Sequence, residues 1–256
     1  MTQRAIDTLR RVDVIACEDT RVTGNLLQRF GITVRMTPYH DHNADQVRPR
    51  ILERLHAGEA VALVSDAGTP LISDPGYKLV RDCAAAGIPT IPLPGPSAFL
   101  AALTVAGLPT DRVLFAGFLP SKSGARRDAL MEVKSLQATL VFYESPQRLA
   151  ETLADIFAVL GPRMTAVCRE LTKIHEEIRR DTADRLAAAY AVEKPPKGEA
   201  VIVLAGAPLE QAALDSADID QSLRDALATM SVRDAAAAVA DLGRQRPGWQ
   251  DYRAGR

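Results

Sequence analysis

Short runs of aliphatic and β-branched residues alternate along the chain with longer segments whose apolar residues recur at helical spacing. Helical patterns cover residues 48–57, 77–86, 98–106, 147–160 and 183–191. The strand-like runs are VDVIAC, AVALVS, TIPLP, TLVFYE, MTAVCRE, EEIRRD and EAVIVLAG. This alternation predicts an α/β fold with a mainly parallel sheet.

Residues with strong preferences for helix ends sit at the boundaries of these segments. Ser97 can cap the N-terminus of AFLAALTVA, and Gly107 follows its last apolar residue. Ser145 before Pro146 is typical of a helix start. The pattern therefore predicts where the helices of residues 98–106 and 147–160 begin.

Gly- and Pro-rich or acidic stretches divide the pattern into domains. The segment GLPTDRVLFAGFLPSKSGARR loosens the helix and strand pattern, and APLEQAALDSADID resembles an acidic linker. We predict an N-terminal α/β domain at 1–113, a second α/β domain at 114–206 and a small helical tail at 216–256, with a helix from Ser231 to Gly243. The chain opens with a helical pattern where such domains usually open with a strand, so we expect a first strand to be missing.

Composition limits the classes of function. Hydrophobic residues make up 47% and charged residues 25% of the 256 positions, as in ordinary soluble globular proteins. The net charge of −1 argues against a globally basic nucleic-acid binder but allows a local basic surface. Cys17, Cys83 and Cys168 are scattered, which favours isolated buried thiols over a zinc site or disulfides. The sequence shows no leader or long apolar run, and we expect a cytoplasmic protein.

Three Gly-, Pro- or hydroxyl-rich loops follow predicted strands: SDAGTPLISDPG, PGPSA and ESPQR. In open parallel sheets, ligands bind outside the carboxyl ends of the strands. The phosphate-binding pattern G-x-x-x-x-G-K-[ST] and the dinucleotide pattern G-x-G-x-x-G are both absent after the strands. The loops therefore predict an adenosyl compound held largely by backbone groups, although stiff turns without a ligand are the alternative.

Seven segments, in order, carry a family resemblance. VIACEDTRVTGNLL, VSDAGTPLISDPGYKLV, PLPGPSAFLAAL, GFLPSKSGARR, LVFYESPQRLAETL, CRELTKIHEEI and KGEAVIVLAG together resemble the ribosomal RNA small subunit methyltransferase I family. These are the bacterial 16S rRNA cytidine 2′-O-methyltransferases within the tetrapyrrole methylase superfamily. The resemblance spans residue 4 to about residue 206, and the tail resembles the helix-turn-helix-like end of many members.

The resemblance implies a two-domain tetrapyrrole-methylase-type fold, S-adenosyl-L-methionine as cofactor, 16S rRNA or the small ribosomal subunit as partner, and a homodimer. It also implies a first strand and loop that this chain lacks, and a basic C-terminal ending from which GRQRPGWQDYRAGR departs. The residues matching the cofactor loops are Ser65, Asp66, Ala67, Gly68, Thr69, Pro70, Asp74, Gly76, Pro94, Gly95, Ser97 and Ala98.

Methyl transfer to a ribose hydroxyl requires in-line alignment and removal of one proton. Glu144 directly follows a predicted strand, so it could act as the base or orient a loop through hydrogen bonds. Lys173 and Glu170 are further candidates for this role, and Lys173 could instead hold a phosphate. Glu18, Asp19 and Arg21 also follow a strand and could position RNA or support the cofactor loop.

Local basic residues are the candidates for RNA contact. SKSGARR resembles a mobile phosphate-gripping loop, and solvated surface charge is the alternative for each residue. The predicted RNA-binding residues are Lys122, Arg126, Arg127, Arg148 and Arg169.

Other functions remain open from sequence. A precorrin or sirohaem methyltransferase would share the fold and cofactor, and a chain without its first strand could be a non-catalytic product. The His-x-His pair in YHDHN has no third ligand in the pattern, so we predict no metal site there.

Overall fold

The computed structural model describes residues 1–66, 68–208, 223–227, 230–232 and 234–235. The chain divides into two compact units, Met1–Ala207 and Pro208–Arg256. The first unit contains the helices Gln3–Leu9 (α1), Thr20–Arg29 (α2), Ala44–His56 (α3), Tyr77–Ala85 (α4), Ala98–Ala106 (α5), Ser123–Glu132 (α6), Leu149–Leu160 (α7) and Ala183–Val192 (α8). Its strands are Val14–Cys17 (β1), Met36–Pro38 (β2), Val61–Val64 (β3), Val113–Phe118 (β4), Thr139–Glu144 (β5), Met164–Arg169 (β6), Glu177–Thr182 (β7) and Ala200–Leu204 (β8).

Sheet A is parallel and has the order β2-β1-β3. Every residue of β1 is buried, as expected for a central strand covered on both faces. Ile15 and Cys17 pack with the apolar sides of α1 and α2. Ala16 points the other way and packs with residues of α3 and α4. The alternating side chains of one strand thus organise two cores.

Sheet B has the order β4-β5-β8-β6-β7. Its β4 and β5 are parallel, whereas the pairs β5–β8, β8–β6 and β6–β7 are antiparallel. Helices α6, α7 and α8 contribute to the core on one face. Helix α5 packs Ala102, Leu103 and Ala106 against the other face. The α/β class is confirmed, and the mainly parallel arrangement belongs to sheet A.

Most predicted elements are present, and the differences have physical causes. TIPLP is not a strand, since Pro92 and Pro94 have no N–H to donate and Ile91 is 68% exposed. Helix α3 begins at Ala44, four residues before the predicted start, because Ala44 and Val47 pack into the core despite Pro49 inside the helix. Tertiary packing thus extends this helix by about one turn beyond the predicted range.

The domain limits 1–113, 114–206 and 216–256 remain predictions. Helix α5 lies in the predicted first domain, although it packs on sheet B. Most of the predicted tail lies outside the described residues, including Gly243. At the predicted helix start, the Ser231 hydroxyl accepts a hydrogen bond from the Asp234 N–H at 3.2 Å.

Candidate functional site

The loop of residues 65–76 follows β3 and folds back on itself. The Ser65 hydroxyl donates to Asp74 Oδ2 at 2.7 Å across the loop. Leu71 and Ser73 have positive φ values of 73° and 60°, a conformation that costs free energy for residues other than glycine. Gly76, the last residue of the loop, is buried, and a Cβ there would lie 2.6 Å from Leu63 Cδ2. The surrounding structure therefore holds this loop in one strained shape.

The loop of residues 94–98 contacts the first loop. Thr69 donates its hydroxyl to the Pro96 carbonyl at 2.9 Å. The two segments predicted to bind one cofactor are therefore adjacent, although only the first follows a strand. Of the remaining predicted cofactor residues, Pro70 is half-buried, Asp66, Gly68, Pro94, Gly95 and Ala98 are exposed, and Ala67 lies outside the described residues.

Carboxyl groups collect at the carboxyl end of sheet A. Burial, followed by the charges of Asp66 and Asp74, raises the pKa of Glu18. Burial also raises the pKa of Asp74, with Asp66, Asp41 and Glu199 adding to the rise and the Ser65 hydrogen bond opposing it. This edge thus carries closely spaced negative charge, which favours the binding of a cation.

Asp19 lies at the same edge and behaves differently. Hydrogen bonds from the Arg21 side chain and backbone lower the pKa of Asp19 to about 2. The Asp19 side chain also accepts from the Arg21 N–H at 2.8 Å at the start of α2. Its backbone N–H lies 3.4 Å from Asp66 Oδ1. Asp19 thus caps a helix and links β1 to the 65–76 loop.

Tyr143 connects the 94–98 loop to sheet B. Burial raises the pKa of its phenol, and hydrogen bonds with the Phe99 backbone and the Ser97 side chain act in the opposite direction. Ser97 makes no side-chain hydrogen bond that caps α5. The ring of Tyr143 packs 4.9 Å from the ring of Phe115. Sequence reasoning missed Tyr143, whose signal was a polar aromatic residue next to Glu144 at a strand end.

Glu144 is 2% exposed, and protein donors occupy both of its carboxylate oxygens. Oε1 accepts from the Ser145 N–H at 2.7 Å and from Arg148 Nε at 2.8 Å. Oε2 accepts from the Thr152 hydroxyl at 2.7 Å. Of the two roles predicted for Glu144, these contacts favour the one in which it orients the turn after β5. Arg148 is held in this ion pair.

Lys173 and Glu170 form a network with Glu199. Lys173 Nζ lies 2.9 Å from Glu170 Oε1 and 3.0 Å from Glu199 Oε2. These hydrogen bonds raise the pKa of Lys173, and the one from Lys173 lowers the pKa of Glu170. A lysine acts as a base only after it has lost its own proton, and a raised pKa opposes that loss. A glutamate acts as a base by taking up a proton, and a lowered pKa opposes that uptake. Both shifts therefore oppose a role as base. Glu199 was not predicted, because a single glutamate before a strand carries no distinct signal in the sequence.

The segment SKSGARR is a helix start rather than a mobile loop, since α6 begins at Ser123. Arg126 is 1% exposed, and its Nε donates to Asp155 Oδ2 at 2.7 Å. Its guanidinium thus faces a buried carboxylate of α7 and is not presented to solvent, in contrast to the predicted RNA contact. Arg127 also binds Asp155, at 2.6 Å, with its side chain 55% exposed. Lys122 is exposed.

Arg169 is held at the end of β6. Its Nε donates to Glu177 Oε2 at 3.0 Å and its Nη1 to the Lys197 carbonyl at 3.2 Å. Its side chain is 16% exposed. Of the five predicted RNA-binding residues, Lys122 and Arg127 are therefore the most accessible.

The described residues hold no group of three or more His, Cys, Asp or Glu side chains arranged to hold a metal ion. His40 and His42 are 6.0 Å apart by ring centroids. Within the same part of the chain, no helix has the length and apolar character needed to cross a membrane. The three cysteines are buried and free.

Residues 1–187 match the family described as Tetrapyrrole (Corrin/Porphyrin) Methylases. The chain is 50% identical over 243 residues to the ribosomal RNA small subunit methyltransferase I of Mesorhizobium japonicum, covering 94% of this chain and 82% of that protein. It is 48% identical over 244 residues to the protein of the same name from Escherichia coli O157:H7, covering 94% of this chain and 85% of that protein.

Solved structures share the fold at low sequence identity. A uroporphyrin-III-C-methyltransferase from Thermus thermophilus matches with a TM-score of 0.55 and 18% identity, covering 79% of this chain and 87% of that one. A cobalt precorrin-4 methyltransferase matches with a TM-score of 0.54 and 17% identity, covering 80% and 88%. The family match over residues 1–187 and the identities to the ribosomal RNA enzymes establish that the chain belongs to the tetrapyrrole methylase family and, within it, to the ribosomal RNA small subunit methyltransferase I family.

Proposed function

We propose that this protein uses S-adenosyl-L-methionine to methylate the 2′-hydroxyl of a cytidine ribose in the decoding region of 16S rRNA. The observation that carries the proposal is the contact between the 65–76 and 94–98 loops, beside a carboxylate-rich sheet edge, in a member of this family. We further propose that the protein acts as a homodimer in the cytoplasm, on 16S rRNA or the small ribosomal subunit.

The residues of this edge suit a positively charged adenosyl sulfonium. The raised pKa values of Glu18 and Asp74 reflect burial and repulsion from neighbouring carboxylates, and a bound cation would relieve that repulsion. We place the cofactor against the 65–76 and 94–98 loops, where Gly68 and Thr69 border Pro96. When bound, the sulfonium supplies an already activated methyl group.

The residues of the protein then have to orient the ribose hydroxyl towards the methyl group. Because the donor is already activated, alignment of the hydroxyl is the main catalytic requirement. We assign Glu144, Glu170 and Lys173 to positioning, since each already holds neighbouring groups. Glu144 fixes the turn after β5, and the Glu170–Lys173 pair fixes the end of β6.

We assign contact with the RNA phosphates to the accessible basic residues. Lys122 is exposed and the Arg127 side chain is 55% exposed, on the first turns of α6. Arg126 contributes by anchoring that helix to α7 through Asp155. Lysine and arginine near phosphates supply the salt-dependent part of RNA affinity.

A methyl-transfer assay with the purified protein tests the proposal. Small subunits and free 16S rRNA from a strain lacking its own enzyme of this family are incubated with methyl-labelled S-adenosylmethionine. Nucleoside mass spectrometry should then detect one 2′-O-methylcytidine, absent without enzyme. Failure to label either substrate, with measurable cofactor binding, would contradict the proposal.

Related measurements separate this function from the alternative functions and test the homodimer. Labelling of uroporphyrinogen III in place of RNA would identify a tetrapyrrole methyltransferase, the activity named for the Thermus thermophilus neighbour. Absence of cofactor binding at micromolar concentration would indicate a non-catalytic product. Analytical ultracentrifugation tests the homodimer, for which a mass near twice the 27.6 kDa of one chain is expected.

A further inference from the structure

Strand β4 carries an irregularity just before its end. Its pairing with β5 runs in step from Val113↔Thr139 to Phe115↔Val141 and resumes at Phe118↔Tyr143. Two residues of β4, Ala116 and Gly117, thus lie opposite one residue of β5, Phe142, which makes a bulge. Bulges turn the following side chain in a new direction and are frequent beside active sites.

The bulge abuts the 65–76 loop. Gly117 has a φ of 64°, and a Cβ at this position would lie 2.9 Å from Ser73 Oγ. Glycine is therefore required by both the backbone conformation and the approach of Ser73. Ser73 itself has a positive φ of 60°, so a strained residue of the 65–76 loop meets the bulge here. The end of β4 is thereby fixed against the proposed cofactor loop.

Beyond the bulge, Phe118 is 59% exposed, whereas its neighbour Leu119 is 6% exposed. The exposed ring of Phe118 packs against the ring of Tyr143. Its centroid lies 5.5 Å from that of Tyr143 at an interplanar angle of 65°. Tyr143 is also held by the ring of Phe115 and by hydrogen bonds with the Phe99 backbone and the Ser97 side chain. A rigid aromatic ring with one open side binds a planar partner with little loss of conformational entropy.

Positive charge follows directly along the chain. Lys122 lies four residues beyond Phe118 and is exposed, and Arg127 follows on α6. An accessible aromatic ring next to cations is the combination that binds single-stranded nucleic acid, because bases stack on the ring while phosphates meet the charges.

We infer that Phe118 stacks on an unstacked nucleobase at the target nucleotide of the RNA and so directs the adjacent ribose towards the 65–76 loop. This inference rests on the proposed function. Enzymes that act on an RNA nucleotide gain access to it where the base is splayed out and stacked on an aromatic side chain. Phe118 is in this account a residue that contacts substrate, and Tyr143 and Gly117 position it.

The test compares Phe118→Ala, Phe118→Leu and Phe118→Trp with the wild type. Phe157→Ala is the matched control, because Phe157 is 43% exposed on α7. For each protein, kcat/KM and Kd for the RNA, Kd for S-adenosylmethionine and the melting temperature are measured. Loss of base stacking should lower kcat/KM and RNA affinity about tenfold or more in the Ala and Leu variants. Trp should retain most of both, and cofactor Kd and melting temperature should stay near the wild-type values.

Two results would overturn the inference. The first is wild-type RNA affinity and kcat/KM in Phe118→Ala. The second is a loss in Phe118→Ala that appears equally in the Kd for S-adenosylmethionine, since Phe118 would then cover the cofactor. A wild-type protein that binds RNA through Phe118 without methylating it would instead contradict the proposed function, so the two failures are distinguishable.

Discussion

Two sets of carboxylates in this protein are used in opposite ways. At the edge of sheet A, burial and neighbouring carboxylates raise the pKa values of Glu18 and Asp74. Around sheet B, burial acts in the same direction on Asp155, but hydrogen bonds from Arg127, Arg126 and Ser123 prevail and lower its pKa. Glu177 follows the same pattern with Arg179 and Arg169.

The difference separates structural charges from the charges that we propose face a ligand. Asp155 joins two helices, so its ionised form stabilises the fold. Glu18 and Asp74 are held in a setting that disfavours their ionised forms. Groups arranged against stability in this way are candidates for function. Asp155 and Glu177 thus belong to the frame of the fold, whereas Glu18 and Asp74 belong to the proposed site.

The largest effect is expected for Asp155→Ala. Removal of this carboxylate leaves Arg126 buried without its partner, which costs about 3–5 kcal/mol of unfolding free energy. Urea denaturation at pH 7 measures it. Glu151→Gln is the control, since Glu151 is 73% exposed and 3.8 Å from Arg126, and should change stability by less than about 0.5 kcal/mol.

The pH dependence of this effect has a defined sign. Because the folded pKa of Asp155 is lowered, its contribution is present above the ordinary aspartate pKa and is lost as pH falls through the folded value. The wild type and Asp155→Ala should therefore converge in stability under acid conditions. Equal stability at pH 7 would refute the assignment of Asp155 as a structural charge.

An intermediate effect is expected for Glu144→Gln. The substitution keeps the shape but loses the charge that Arg148 and Thr152 contact, at a cost of about 1–3 kcal/mol in unfolding free energy. As a positioning residue, Glu144 should leave the form of the pH–rate profile unchanged. A general base stops working when it is protonated at low pH, so loss of the acid-side fall in kcat, with stability intact, would show instead that Glu144 is the base.

The smallest effect is expected for Asp74→Asn. With the folded pKa raised, the contribution of Asp74 to stability is present below the ordinary aspartate pKa and is lost as pH rises through the folded value. Asparagine resembles the protonated form, so stability at pH 7 should stay equal or rise. Affinity for S-adenosylmethionine should fall about fivefold, as for one partly exposed charge contact.

Asp82→Asn sharpens this comparison. Asp82 Oδ2 lies 2.7 Å from Arg48 Nε, and hydrogen bonding to Arg81 is the first cause that lowers its pKa. The same substitution should therefore lower stability and leave cofactor affinity unchanged. If both variants shift stability in the same direction, the two classes of carboxylate are not distinct.

Much of the candidate site is predictable because its signals are local. The 65–76 loop is visible from its Gly, Pro and hydroxyl residues, and the start of α5 from Ser97. Arg126 shows the limit of such signals. Its partner Asp155 is 29 positions away, so a side chain that looks like a surface cation is buried by a contact that spacing does not reveal.

The sequence by itself determined the alternation of strands and helices, the Gly- and Pro-rich loop after β3 and the family. These features depend on local conformational preference and on short motifs. The tertiary structure decided which arginines face solvent, which carboxylates are paired, and that Phe118 is exposed beyond a bulge. Those properties depend on contacts between residues distant in the chain, where burial and charge pairing set the free energy of each side chain.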